Sequence, residues 1–437
     1  MSIERAHQFE HDVKNDQNPH VKLQSDSREP PLNRAELIAA AVAIGDQLRA
    51  LATRDAEGET TWLSFFFDPS TKCMNSLPMT DILYDGRIGI ALFLAALEDI
   101  TGGEGFRDLA LSAMLSLRKT LQQSTPPVTG RITLGGGAGL GGQLYALVRI
   151  ASWLSDGELL DLAGRVAGRF TPERIARDEE LDVFGGAAGG ILGLLAFSSA
   201  STNGDGLNEA VQCGDHLLRK RHTSDTGHRV WPVGWASRPL TGFSHGAAGI
   251  AYSLLRLHQA TGEHRFREAA EEAIAYEAAV YSPEAGNWPD FRVPPGPSGD
   301  QFVVAWCHGA TGIGLARLGG LRVLDTPAVR MDIANALEST LTDMQCDVDH
   351  ICCGELGRVD LLIKASLRLK RAELLDEAGR QASRIVRLAS RTGRYRLYNR
   401  AQSVTDNPSL FQGTAGIGYE LLRLAEPERM PCLLLWD

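Results

Sequence analysis

Ser244-His245-Gly246-Ala247-Ala248-Gly249-Ile250-Ala251-Tyr252-Ser253-Leu254-Leu255-Arg256-Leu257 joins a Gly-x-x-Gly phrase to an apolar, helix-forming run. The phrase recurs. Six further copies stand at Gly86-Arg87-Ile88-Gly89, Gly136-Gly137-Ala138-Gly139, Gly186-Ala187-Ala188-Gly189, Gly309-Ala310-Thr311-Gly312, Gly354-Glu355-Leu356-Gly357 and Gly413-Thr414-Ala415-Gly416. Their loose period of 45 to 63 residues is that of a repeat array with variable loops. Between them lie amphipathic patterns with apolar residues at i, i+3, i+4 and i+7, as at 36–51, 106–121, 157–170, 266–280, 328–344 and 372–389. The runs after the glycines are apolar nearly all round, which in a water-soluble protein means burial on several sides. The pattern predicts an all-α fold, an α/α toroid (barrel) of seven inner and seven outer helices. Glycine then lets neighbouring backbones approach closely, and the inner N-termini share one end of the barrel, where orphan N–H groups favour anions.

Of the 437 residues, 44 are basic and 54 acidic, a formal net charge of −10, which argues against a nucleic-acid-binding surface. Forty-three per cent are hydrophobic, enough for a large core. No apolar run approaches the roughly 20 residues of a membrane helix, and the N-terminus lacks a signal-peptide core, so a cytoplasmic location is expected. Residues 1–31 are polar and end at Pro30-Pro31; they are expected to be a disordered tail or linker remnant preceding one domain over 32–437.

Seven cysteines in a chain without an export signal argue for free thiols rather than a disulfide framework. Cys307 stands in Ala305-Trp306-Cys307-His308-Gly309 and the pair Cys352-Cys353 in Ile351-Cys352-Cys353-Gly354, both at the threshold of a glycine phrase and hence at the same end of adjacent inner helices. Three soft thiolates with a fourth position open are the donor set of a catalytic zinc site. By spacing alone they serve equally well as reduced packing residues. Cys346 is expected to stay out of the cluster, because it falls at the end of an outer helix. His245 and Asp182 precede the glycines of repeats four and three, where each can also be a helix cap or a hydrogen-bonded loop residue.

These residues, with Leu83-Tyr84-Asp85-Gly86 and Phe411-Gln412-Gly413, resemble the lanthionine synthetase C-like cyclases from about residue 60 onward, and in particular the cyclase domain of class II lanthipeptide synthetases. The resemblance implies a toroid binding Zn2+ through Cys307, Cys352 and Cys353. The last position departs from the common Cys-His-Gly pattern and matches a minority Cys-Cys-Gly subgroup. It further implies Michael-type addition of peptide cysteine thiolates to dehydroalanine or dehydrobutyrine, giving lanthionine or methyllanthionine. His245 and Asp182 align with the positions that manage the proton, Asp182 either directly or by orienting the histidine. Trp306 is expected to pack beneath the metal loop and His308 to stand beside the metal without ligating it. Asp85 is expected to be a cap or a barrel-closing acceptor.

The implied partner is a dehydrated precursor peptide, leader plus core. Nothing in the sequence resembles the kinase-like phosphate machinery that dehydrates it, so dehydration is assigned to a dehydratase domain or a separate dehydratase, this chain being an excised domain or a stand-alone cyclase. Two other readings keep the toroid: a non-catalytic peptide-binding scaffold, and another enzyme such as a glycosidase or a glutathione-adding relative. A glycosidase needs two facing carboxylates, and no obvious pair occupies the glycine loops. The polar loops 222–242 and 282–302 are candidates either to line a substrate groove or to be filler.

Overall fold

The computed structural model describes residues 30–68, 73–123, 132–297, 299–343, 346–397 and 406–437; nearly all of the expected tail at 1–31 lies outside them. The first helix, α1 (Arg34–Leu51), starts at a capping box between Asn33 and Glu36. The seven apolar runs become α2 (Arg87–Thr101), α5 (Leu140–Leu154), α8 (Ala187–Ala200), α10 (Ala247–Thr261), α12 (Ala310–Gly320), α14 (Glu355–Leu369) and α16 (Thr414–Ala425). Each is buried through most of its length on every side. The amphipathic patterns become α3 (Arg107–Ala113) with α4 (Leu115–Gln122), α6 (Gly157–Ala167), α9 (Leu207–Arg219), α11 (His264–Val280), α13 (Pro327–Thr342) and α15 (Ala372–Thr392). A short helix, α7 (Pro172–Ala176), lies between α6 and α8.

Each inner helix packs on its two inner neighbours, and α16 packs back on α2, so the inner ring closes. Every inner helix is backed by an outer one, and α1, first in the chain, backs α16, the last inner helix. The predicted toroid of seven inner and seven outer helices is what folds. Three details differ from the expectation. The second outer helix is divided at Met114, whose N–H turns back to the carbonyl of Leu111 in a tightened turn. Short antiparallel pairs interrupt the all-α pattern, the longest joining β3 (Leu63–Asp68) to β4 (Cys73–Pro78), where the run Phe65-Phe66-Phe67 favours strand over helix. In repeat two the helix is capped by Gly139 rather than Gly136, so the structural counterpart of the other phrases is Gly139-Leu140-Gly141-Gly142.

With that register, every inner helix carries glycine three residues after its capping glycine: Gly89, Gly142, Gly189, Gly249, Gly312, Gly357 and Gly416. A Cβ at any of them would fall under 3.0 Å from the carbonyl oxygen of the loop three residues ahead of the cap. The glycines therefore let each loop lie flat on the first turn of its own helix. The loops in turn bond to one another around the mouth. Residues two before each cap, joined in repeat five by Trp306 one residue earlier, form a belt around the mouth: Tyr84 N–H donates to Gly137 O, Gly137 to Phe184, Phe184 to Ser244, Ser244 to Cys307, then Trp306 to Cys352, Cys352 to Phe411, and Phe411 back to Tyr84, all at 3.0–3.1 Å.

The chain end fills the barrel below this belt. Leu433–Leu435 form a 3-10 turn, and Trp436 lies buried against Phe243, Phe411 and Trp306, with ring centroids 5.9–6.4 Å away. Trp306 Nε1 donates to Leu434 O at 3.0 Å, tying this plug to the mouth.

Candidate metal centre and proton-transfer pair

Two residues before the cap is the position where the belt holds a side chain at the mouth, and Cys307 and Cys352 occupy it in adjacent repeats. Cys353 stands one residue before its cap, the position held by His308 in repeat five and His245 in repeat four. The three sulfurs converge, Cys353 Sγ lying 3.4 Å from Cys307 Sγ and 3.3 Å from Cys352 Sγ, and the three ligand atoms lie within 4.8 Å of one another. Zinc bound at about 2.3 Å to three corners of a tetrahedron holds its sulfurs about 3.8 Å apart, so the cluster is of the right size.

Its electrostatics point the same way. The Cys307 thiol is held well below the usual thiol range by hydrogen bonds from Cys352 and Cys353. Burial pushes Cys352 up, and the contact with Cys307 sulfur pushes Cys353 up. Three sulfurs this close, two of them buried and Cys353 half-buried, can all be thiolates only around a cation. Cys346 stays outside the cluster, its thiol reaching the backbone carbonyl of Cys353 at 3.5 Å instead.

Beside the sulfurs lies the pair that the loops of repeats three and four bring together. His245 Nδ1 is 2.6 Å from Asp182 Oδ2, both buried although 63 residues apart in sequence. Asp182 Oδ1 accepts from the N–H groups of Gly185 and Gly186, at 2.7 and 3.2 Å, so the carboxylate fixes the loop just ahead of α8 and the imidazole at once, while the first helical N–H, of Ala187, donates to Asp178. From the outer ring, Glu277 clamps the histidine's loop by accepting from the N–H groups of Gly242 and Ala248, its other oxygen 2.7 Å from Arg317. The His245 ring is flanked by Phe184 at 5.2 Å, Trp235 at 5.9 Å and His308 at 5.8 Å, the last nearly parallel.

His308 does not join the three-sulfur group. Burial, reinforced by the Arg292 guanidinium, lowers its pKa to about 3, so it is a neutral ring near neutral pH. Trp306 is buried beneath the cysteine loops. Asp85 is half-buried beside Tyr84, its carboxyl pushed up by burial.

Residues that sequence reasoning left without a role also reach the centre. Tyr84 Oη lies 3.0 Å from Cys352 Sγ, and His350 Nδ1 accepts from the Cys353 N–H at 3.3 Å. Tyr84 occupies the same place relative to its cap as Cys307 and Cys352, a signal visible once the repeats are in register. The loop candidates 222–242 and 282–302 bring Trp235 against His245 and join each other, Arg238 lying over the Phe291 ring at 3.6 Å. Within the second loop, buried Asp290 holds Arg292 at 2.8 Å.

A family model described as Lanthionine synthetase C-like protein matches residues 78–435. Among solved structures, nisin cyclase is similar at 17% identity with a TM-score of 0.63, covering 82% of this chain and 92% of that one. The Lin0763 protein from Listeria innocua is similar at 12% identity with a TM-score of 0.52, covering 92% and 99%. At these identities the structural likeness is one of fold.

Proposed function

The chain belongs to the lanthionine synthetase C-like family, and from that premise we propose that it is a zinc-dependent cyclase forming lanthionine or methyllanthionine rings in a dehydrated peptide. The observation that carries the reading is the convergence of Cys307, Cys352 and Cys353 beside the His245–Asp182 pair on one belt of loops. The donor set fits zinc, which when bound supplies Lewis acidity that favours a substrate cysteine as thiolate near neutral pH.

The remaining work falls to the chain's own groups. A peptide cysteine adds through sulfur to the β-carbon of dehydroalanine or dehydrobutyrine, a C–S bond forms, and the thiol proton ends on the α-carbon. Asp182 holds Nδ1 of His245 and orients the ring, and the imidazole accepts the thiol proton or donates one to the enolate. Phe184 and Trp235 against the ring limit water around the exchanging proton. The substrate is a peptide dehydrated by another domain or protein, and the loops 222–242 and 282–302 border its path.

The test is a cyclisation assay read by thiol capture, since ring closure leaves the mass unchanged. Incubation with a dehydrated, cysteine-containing peptide is expected to protect its thiols from alkylation. The His245→Asn variant is expected to retain its metal and to lose about 10²- to 10⁴-fold in rate. Peptide thiols that remain fully alkylated with metal-loaded parent protein would favour the scaffold reading.

A further inference from the structure

We propose that Tyr84 is a positioning residue for the metal centre: its hydroxyl donates a hydrogen bond to the sulfur of Cys352 and draws electron density from one ligand of an all-sulfur site. The inference rests on the metal-binding reading of Cys307, Cys352 and Cys353. Its geometry stands on the page. Tyr84 Oη lies 3.0 Å from Cys352 Sγ, and no other hydrogen bond of that hydroxyl is found among the described residues. The ring is gripped on two sides, stacked on Phe411 at 4.8 Å and edge-on to Phe184 at 5.0 Å. The backbone is held on both sides too, its N–H donating to Gly137 and its carbonyl accepting from Phe411. A hydroxyl fixed this firmly on a buried sulfur is a directed contact.

The chemistry gives the contact a purpose. Three thiolates bring a net charge of about −1 to a divalent ion, against about zero for two thiolates and an imidazole, and the added donation weakens the metal as a Lewis acid. A hydrogen bond to a thiolate shares its lone-pair density with the donor, and such supporting partners tune a metal site from outside its ligands. In this chain Tyr84 therefore offsets part of what a third cysteine adds. A peptide thiol arriving at the open position meets a more acidic ion than three unmodified thiolates would leave.

The test uses the full chain with cobalt(II) as a spectroscopic stand-in, comparing the parent with Tyr84→Phe, which keeps the ring and its stacking. Both are expected to bind about one cobalt. In Tyr84→Phe the sulfur-to-cobalt charge-transfer band is expected to move to longer wavelength, since an unbridged thiolate gives up its electron more easily. Phe184→Leu loosens the same packing but keeps the hydroxyl, and its band is expected to stay in place. An unshifted band in Tyr84→Phe, or an equal shift in both variants, overturns the inference while leaving the metal reading intact. Failure of the folded parent to bind cobalt overturns the metal reading, and the inference with it.

Discussion

Asp182 ties the backbone of its own loop to a ring from the next repeat. The carboxylate spends one oxygen on the loop backbone at Gly185 and Gly186, just ahead of α8, and the other on the imidazole, so the histidine is oriented by the same residue that fixes this loop. Cys353 is the residue that the sequence resemblance sets apart from the common Cys-His-Gly pattern. Replacing it by histidine, which makes the ligand set neutral, is expected to retain zinc but to slow cyclisation across several core peptides, because the substrate thiolate is then held more tightly and is less nucleophilic. Unchanged rates on all of them would remove the electronic role given to the third cysteine. Much at this scale was legible: the three cysteines and the pair could be singled out from their places before the glycines. The contact between His245 and Asp182 was not, because it spans two repeats and depends on loop geometry that no spacing encodes. Tyr84 was visible as part of a motif, yet a phenol reaching a sulfur 268 residues away can only be seen in three dimensions.

At the scale of the element, each inner helix begins under its own loop, and the glycine three residues beyond the cap allows this. Gly89→Ala is expected to destabilise the protein by about 1–3 kcal/mol in urea unfolding, because the added methyl meets the carbonyl of Leu83 and the side chain of Leu410. Gly157→Ala, at the exposed start of α6 where a Cβ meets nothing within 4 Å, is expected to cost nothing or to stabilise slightly. Equal losses at the two sites would mean that glycine serves backbone freedom rather than close approach. The repeat was readable because the constraint is steric and recurs at every loop. The register of repeat two was not, since residues 135–142 hold six glycines and only the packing shows that Gly139 is the cap. The division at Met114 likewise escaped a pattern that is apolar at helical spacing straight through it.

The whole molecule is a ring closed twice, by helix packing from α2 round to α16 and by the backbone belt at the mouth. The belt makes the three-cysteine cluster a product of the closed toroid, since its sulfurs come from two neighbouring loops held in place by the other five. The C-terminal turn completes the interior from below. Trp436→Ala is expected to cost about 3–5 kcal/mol of stability, read as a lower urea midpoint at unchanged slope, and a negligible loss would show that the plug is dispensable. Its sequence, Leu433-Leu434-Leu435-Trp436, follows the last glycine repeat and was given no place by the sequence; that it fills the barrel beneath the site is seen only in three dimensions. The central claim is that these three cysteines are the ligands of a zinc-dependent cyclase. It is tested most directly by measuring zinc per chain, under reducing conditions, in the parent and in the Cys307→Ala, Cys352→Ala and Cys353→Ala variants. The account predicts about one zinc in the parent and its loss in each folded variant; a well-folded parent without zinc would contradict it.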